Sequence, residues 1–168
     1  MEINLKVNTF VKIIQFEELT FKKVIFYTVQ FEDNEYSEYE DFILRHSNNP
    51  DIVGDIINLD YWIRKIGDEI GALANYFRNE SYFGNTQALP PPRYKMGEIV
   101  VKDLRLYCMR IDNSRVILFN GGIKTKDNAK DCPNVAPYFK QANKLAETID
   151  RLLSKKEIVI KDNEEFSL

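Results

Sequence analysis

The sequence predicts an α+β fold: a mainly antiparallel sheet with two helices after the first core strand, a C-terminal helix and an N-terminal β-hairpin extension. Three observations support this prediction. Runs of β-branched and aromatic residues form two groups, over residues 11–31 and 98–119. Apolar residues spaced three or four apart lie between these groups, and a second such stretch follows them. Strands at both ends of a helical region are typical of an α+β domain, and we expect the helices to pack on one face of the sheet.

Length and composition indicate one globular domain, because 168 residues with 44% hydrophobic and 29% charged side chains can bury a core of their own. We divide it into a strand extension (1–21), a core (22–153) and a tail (154–168). No apolar run approaches the ~20 residues of a membrane span, and the N-terminus lacks a secretory pattern. We therefore expect a cytoplasmic protein with no cofactor. Its two cysteines and single histidine do not make a usual zinc site.

The first half begins with a predicted hairpin over Val11–Phe31, with its turn at residues 18–20, and the first ten residues add a strand or an arm. Ser37 followed by Glu40 forms a capping box, which predicts a short helix over residues 38–47.

A second, longer helix is predicted from Asn49-Pro50, read as an N-cap followed by proline at the first helical position. Its apolar stripe continues to Phe77, which gives a helix of about 26 residues. Gly54, Gly67 and Gly71 are the places where this helix is expected to kink or break.

The second half begins with residues 78–97, whose glycine and three consecutive prolines predict a long connection with a functional role. Two strands follow, joined by a turn at residues 112–114. Strand alternation places Arg105 and Tyr107 on one face and Arg110 on the other. An amphipathic helix is predicted over Pro137–Leu153.

Charge divides the chain unevenly. Residues 1–92 contain 8 Lys/Arg and 15 Asp/Glu, whereas residues 93–156 contain 14 and 7. An excess of cations in one half indicates either an anionic partner or a solvated surface with uneven charge.

Four segments of the second half follow one another as Leu104-Arg105-Leu106-Tyr107, Asp112-Asn113, Val116-Ile117-Leu118 and Gly121-Gly122-Ile123-Lys124-Thr125-Lys126. In these segments and in its order of elements the chain resembles the RelE/ParE superfamily of small bacterial toxins, in particular its HigB-like branch. The resemblance covers residues 22–153 in element order and is strongest over 104–145. It implies a β-α-α-β-β-β core that begins with Tyr27–Phe31.

The resemblance also implies a function, namely the toxin of a type II toxin-antitoxin system that cleaves mRNA on the ribosome and is blocked by a cognate antitoxin. ParE-like relatives act instead on DNA gyrase. RNA cleavage requires an activated 2′-hydroxyl, a stabilised phosphate and a protonated leaving oxygen. A pair of catalytic histidines is excluded because His46 is the only histidine.

Candidate site residues are therefore Lys, Arg and Tyr. We predict a catalytic set in which Arg105 stabilises the phosphate, Lys124 binds phosphate or donates a proton, and Tyr107 orients the nucleophile or stacks on a base. The predicted RNA-binding residues are Lys126, Lys102, Arg110 and Tyr138.

Each candidate also has an ordinary structural interpretation: an ion pair for Arg105, a solvated hairpin end for the two lysines, a core aromatic for Tyr107, and a hydrophobic staple for Tyr138. His46 is interpreted as a helix-end residue. The chain is acidic, with a pI near 5.3, whereas toxins of this family are usually basic. Two alternatives to the mRNA-cleaving toxin stay open. One is a non-catalytic RelE-fold protein that binds a protein or nucleic-acid partner through its basic C-terminal half. The other is an interaction domain unrelated to the family.

Overall fold

The structure is a computed structural model that describes residues 2–6, 9–80, 85–92, 104–126 and 128–158, with side chains from residue 11 onward. Within these residues, seven strands form one sheet. They are Glu2–Lys6 (β1), Thr9–Thr20 (β2), Ile25–Phe31 (β3), Arg78–Asn79 (β4), Gln87–Leu89 (β5), Leu104–Asp112 (β6) and Arg115–Ile123 (β7). The helices are Glu38–His46 (α1), Val53–Lys65 (α2) and Ala136–Ser154 (α3), with short 3₁₀ turns at Ala74–Tyr76 and Ala129–Asp131.

The strand order across the sheet is β1-β2-β3-β7-β6-β5-β4. Every neighbouring pair is antiparallel except β3 and β7, which run parallel from Ile25 opposite Arg115 to Thr28 opposite Leu118. The predicted α+β class, the mainly antiparallel sheet and the N-terminal hairpin are confirmed. The parallel pair places a strand of the acidic half directly beside a strand of the basic half.

The hairpin of β2 and β3 turns later than predicted. Leu19 is buried and Thr20 still pairs with Ile25, so β2 continues through residues 18–20. The turn itself is closed by the Phe21 N–H, which donates to the Val24 carbonyl at 3.0 Å. The predicted turn was wrong because the side chain of Leu19 contributes to the core and thereby extends the strand.

The capping box at the start of α1 is confirmed. The Glu40 N–H donates to Ser37 Oγ at 3.3 Å, and the Ser37 N–H donates to Glu40 Oε2 at 2.8 Å. Both bonds satisfy backbone donors at the helix N-terminus, which have no partner within the helix itself.

The single long helix predicted to reach Phe77 is wrong. Asn49 does not cap it, because its side chain accepts the Asp51 N–H at 3.0 Å in a local turn and the helix begins at Val53. After Lys65 the chain forms a π-helical turn over Ile66–Ile70. Gly71, at φ 91°, ends it, so one of the three glycines at which a break was expected does end the helix, whereas Gly54 lies inside α2.

A contact with the β2–β3 turn explains where this helix ends. The Phe21 ring lies against Gly67, where a Cβ atom would approach it to 2.4 Å. The Gly67 carbonyl accepts the N–H groups of Lys23 at 2.7 Å and Val24 at 3.1 Å. A carbonyl used in this way holds the end of the helix on the hairpin turn.

Helices cover both faces of the sheet, and the expectation of a single covered face is wrong. Phe26, Leu106 and Leu118 point toward α1 and α2, whereas Tyr27 and Tyr107 point toward α3. Alternate residues of β3, β6 and β7 are apolar on both faces, so these central strands are buried on both sides. Over the part of the chain that the structure describes, no helix is long and apolar enough to cross a membrane.

The predicted connection over residues 78–97 contains two short strands in its described part, β4 and β5. The Glu80 N–H donates to the Thr86 carbonyl at 3.2 Å beyond their last pair. These strands extend the sheet beside β6 and bring Glu80 next to it.

Candidate functional site: a carboxylate between two cations

Two of the predicted catalytic residues meet at one carboxylate. Arg105 Nε lies 3.6 Å from Glu80 Oε1, and Lys124 Nζ lies 3.9 Å from Glu80 Oε2. The side chains of Arg105, Glu80 and Lys124 are only 9%, 11% and 16% exposed. Partial burial strengthens the attraction between unlike charges relative to a surface pair. We call these three side chains the charged cluster.

Three different elements supply the charged cluster. Glu80 follows β4, Arg105 lies on β6, and Lys124 directly follows β7. Arg105 pairs with Gly122 across the β6–β7 ladder, and its Nη1 donates to the Leu104 carbonyl at 3.0 Å. These ladders fix the backbone positions from which all three side chains extend.

Tyr107, the third predicted catalytic residue, lies on the same face of β6 as Arg105 but is fully buried. Its ring packs 5.5 Å from that of Phe139 on α3. Burial, and then the negative charge of nearby Glu80, raise the pKa of the Tyr107 hydroxyl. Among the described residues, this hydroxyl and that of Thr86 are buried without a hydrogen-bond partner.

Three of the four predicted RNA-binding residues lie in the described part of the chain, and these three do not form one surface. Lys126 is exposed just beyond the charged cluster, and Lys102 lies outside the described residues. Arg110 is on the opposite face, as predicted, and donates to the Ala72 carbonyl at 2.6 Å and to Asn113 Oδ1 at 2.9 Å. Tyr138 lies in the first turn of α3, and the guanidinium carbon of Arg45 lies 4.3 Å from the centre of the Tyr138 ring.

A second polar cluster surrounds Asn120 on the α1 side of the sheet. Its Nδ2 donates to Glu38 Oε2 at 2.9 Å and to Asp41 Oδ2 at 2.8 Å. Arg45 donates to Asn120 Oδ1, to Asp41 at 2.9 Å and to the Gly121 carbonyl at 2.9 Å. This network joins α1 to β7 where β7 bulges, since Phe119 and Asn120 both lie opposite Tyr107.

The two carboxyls of this second cluster have opposite pKa shifts. Burial raises the pKa of Glu38. Burial also acts to raise the pKa of Asp41, but hydrogen bonds from Asn120 and Arg45 bring it below its ordinary value. His46, in the last turn of α1 as interpreted from the sequence, has its pKa lowered by burial and by the charge of Arg45.

Cys132 lies in the connection between β7 and α3, directly after the 3₁₀ turn at Ala129–Asp131. Its sulfur is 3.2 Å from both the backbone nitrogen and the Oγ1 of Thr125. Burial acts to raise the pKa of this thiol, but these hydrogen bonds and those from Asn134 and Lys126 lower it to about 7. Cys108 is buried among apolar side chains, which raises the pKa of its thiol.

Glu80 is the site residue that sequence reasoning missed. It falls within a segment interpreted as a loop, and its meeting with Arg105 depends on β4 and β5 joining the sheet. One signal was available, because Glu80 is the last acid before the point where the charge of the chain changes sign.

No protein-family model matches this chain, and no curated protein or solved structure is similar enough to it to count as a match.

Proposed function

We propose that the chain is the toxin of a bacterial toxin-antitoxin system, an endoribonuclease that cleaves mRNA on the ribosome and is held inactive by a cognate antitoxin protein. The observation that carries this proposal is the convergence of Arg105 and Lys124 on the two oxygens of Glu80. A base, an acid and a phosphate ligand are the three groups that RNA cleavage requires. The element order from β3 to α3 adds partial support, because a strand, two helices, further strands and a last helix follow one another as in the RelE-type core, although four strands (β4 to β7) follow the helices here and that core has three.

The three side chains divide the reaction between them. Glu80 takes the proton from the 2′-hydroxyl, whose oxygen attacks phosphorus and forms the new bond. Arg105 binds the non-bridging phosphate oxygens, which gain negative charge in the transition state. Lys124 donates a proton to the 5′-oxygen as the bond from phosphorus to that oxygen breaks. The products are a 2′,3′-cyclic phosphate and a 5′-hydroxyl, and the protons balance.

Substrate must replace part of the contact between Glu80 and its two cations. Lys124 is the most exposed of the three and has the longer contact, so we place the entering phosphate between Lys124 and Arg105. Four exposed lysines follow Lys124 in the chain, two in the connection after β7, at positions 126 and 130, and two on α3, at positions 140 and 144. Such a group of cations attracts an RNA backbone and gives binding that weakens with salt.

Controlled expression in bacteria tests the proposal. The wild-type chain should arrest growth, and Glu80→Gln, which keeps the size and a hydrogen-bonding group, should abolish the arrest. Lys124→Ala should do the same. Lys22→Ala is the matched control, because this exposed lysine lies in the β2–β3 turn, outside the charged cluster and the group of exposed lysines, and its loss should leave the arrest intact.

The folded state of each variant is checked by circular dichroism, since breaking a buried ion pair costs about 3–5 kcal/mol. The cleaved mRNA should end in a cyclic phosphate. Normal growth with soluble, folded wild-type protein would overturn the proposal.

One observation favours a second candidate, a non-catalytic protein that binds a nucleic-acid or protein partner through its basic C-terminal half. Arg105 and Glu80 are about nine-tenths buried, whereas the lysines at 126, 130, 140 and 144 are exposed. In this case RNA binding should fall with each exposed lysine replaced, while Glu80→Gln binds as the wild type does and no product forms.

A further inference from the structure

A cavity of about 530 Å³ lies at the β4–β5 edge of the sheet, beside the C-terminal half of α3. Its lining residues include three with primary amides, Asn79, Asn85 and Gln87, and three apolar ones, Met109, Ile111 and Leu153. Arg110, Asp150 and Ser154 complete the lining in the described part of the chain. This volume is within the range of small-ligand sites, which combine apolar walls with a few polar groups that fix orientation.

Residues that line the cavity are close to the charged cluster along the chain. Asn79 directly precedes Glu80, and Asn85 directly precedes Thr86, whose carbonyl accepts the Glu80 N–H at 3.2 Å. On β6, Met109 follows Arg105 by four residues, about 13 Å in an extended strand. Neighbouring nucleotides of a single strand can span this separation.

The charges of the lining favour a neutral polar group over a phosphate. Arg110 is the one cation among the lining residues in the described ranges, and its guanidinium already donates to Ala72 and Asn113. Asp150 adds a carboxylate on the α3 side, which repels a phosphate and accepts hydrogen bonds from an amine.

A primary amide offers one acceptor and two donor hydrogens in one plane, and it pairs in two places with a base that presents a donor beside an acceptor. Proteins that recognise single-stranded RNA hold its unstacked bases with such hydrogen bonds and by stacking them on planar side chains. We infer that this cavity holds a nucleobase of the RNA strand whose phosphate meets the charged cluster. This inference rests on the proposed function and assigns to it a base-recognition site.

Binding without cleavage tests the inference. Protein carrying Glu80→Gln is titrated by fluorescence anisotropy with a labelled oligoadenylate and with an abasic oligonucleotide of the same length. The oligoadenylate should bind about tenfold more tightly, which corresponds to one base held by a bidentate amide. Adding Asn85→Ala should bring its affinity close to that of the abasic strand, and Gln87→Ala provides an independent variant.

Asn75→Ala is the matched control, because this exposed amide lies in the 3₁₀ turn at Ala74–Tyr76, outside the cavity, and its loss should leave the preference unchanged. Equal affinities for the two strands would overturn the inference, and so would an equal loss in the Asn75 and Asn85 variants. Growth arrest by the wild type without a base preference refutes the cavity assignment alone. A base preference without growth arrest refutes the endoribonuclease and leaves the cavity as a nucleic-acid site.

Discussion

Gly121 occupies a place in the sheet that we expect to accept no side chain. It lies opposite Leu106 in the β6–β7 ladder, beside the bulge at Phe119 and Asn120. A Cβ atom added to it would be 1.8 Å from the Arg105 carbonyl oxygen and 2.8 Å from the carbonyl carbon. Both atoms belong to the backbone of the paired strand, so no side-chain rotation relieves the contact. Gly121→Ala should therefore separate the strands.

The size of the effect follows from the ladder. Real Cβ atoms keep at least 3.0 Å from such atoms, so the strands must separate by about 1.2 Å, the difference between 3.0 and 1.8 Å. This movement weakens the pairs Leu104–Ile123, Arg105–Gly122 and Leu106–Gly121. At about 1 kcal/mol for each ladder hydrogen bond, the free energy of unfolding should fall by about 3 kcal/mol or more. The same movement shifts Arg105 relative to Glu80.

Urea unfolding followed by far-ultraviolet circular dichroism measures this change. Gly54→Ala is the control, because a Cβ at this exposed position in α2 meets nothing within 4 Å. It should raise the free energy of unfolding by about 0.5–1 kcal/mol, since alanine favours a helix over glycine. A Gly121→Ala protein within about 1 kcal/mol of the wild type would refute the close approach of β6 and β7 on which the reasoning depends.

Three further predictions concern buried groups. Tyr107→Phe removes a hydroxyl that has no hydrogen-bond partner among the described residues, so it should raise the free energy of unfolding in urea by up to about 1 kcal/mol; a loss would reveal a partner. Burial raises the pKa of Glu38 above its ordinary 4.5, because the folded protein favours the neutral form of this carboxyl. The contribution of Glu38 to stability is therefore present below pH 4.5 and is lost as the pH rises through the pKa of the folded state. Glu38→Gln should therefore gain thermal stability relative to the wild type from pH 4 to pH 7, and a difference independent of pH would contradict this. Thr125→Val removes one hydrogen-bond donor to Cys132 and should raise the pKa of its thiol above about 7. The absorbance of the thiolate measures this pKa, and Cys108 adds nothing near neutral pH because burial raises the pKa of its thiol. An unchanged titration would exclude this role for Thr125.

Local signals predicted the elements that depend on neighbouring residues. The capping box at Ser37 and Glu40 set the start of α1, and the turn at residues 112–114 set the β6–β7 hairpin. Features that depend on distant contacts were predicted less well: the glycines marked where the second helix could break, but not that α2 would end at Lys65. The end of α2 depends on Phe21 packing on Gly67, and these residues are 46 positions apart in the chain.

The same distinction applies to the site. Arg105 and Lys124 were proposed as site residues from the segments in which they lie, and the structure brings both to one carboxylate. Glu80 was not found, because its place depends on two short strands added at the sheet edge. The sequence also left open how deeply Tyr107 is buried, since alternation shows which face a residue is on but not what covers that face.

The parallel pairing of β3 with β7 has a consequence for the chain as it is synthesised. β3 ends at Phe31, but the strand that pairs with its inner edge begins only at Arg115. Until that strand leaves the ribosome, the β2–β3 hairpin presents an open row of backbone N–H and C=O groups, which can pair with other chains. Elongation at about 5–20 residues per second makes this interval last several seconds. Nascent chains halted before residue 115 should therefore be the ones that aggregate or bind chaperones. Chaperones should dissociate from the nascent chain when β7 leaves the ribosome and pairs with β3.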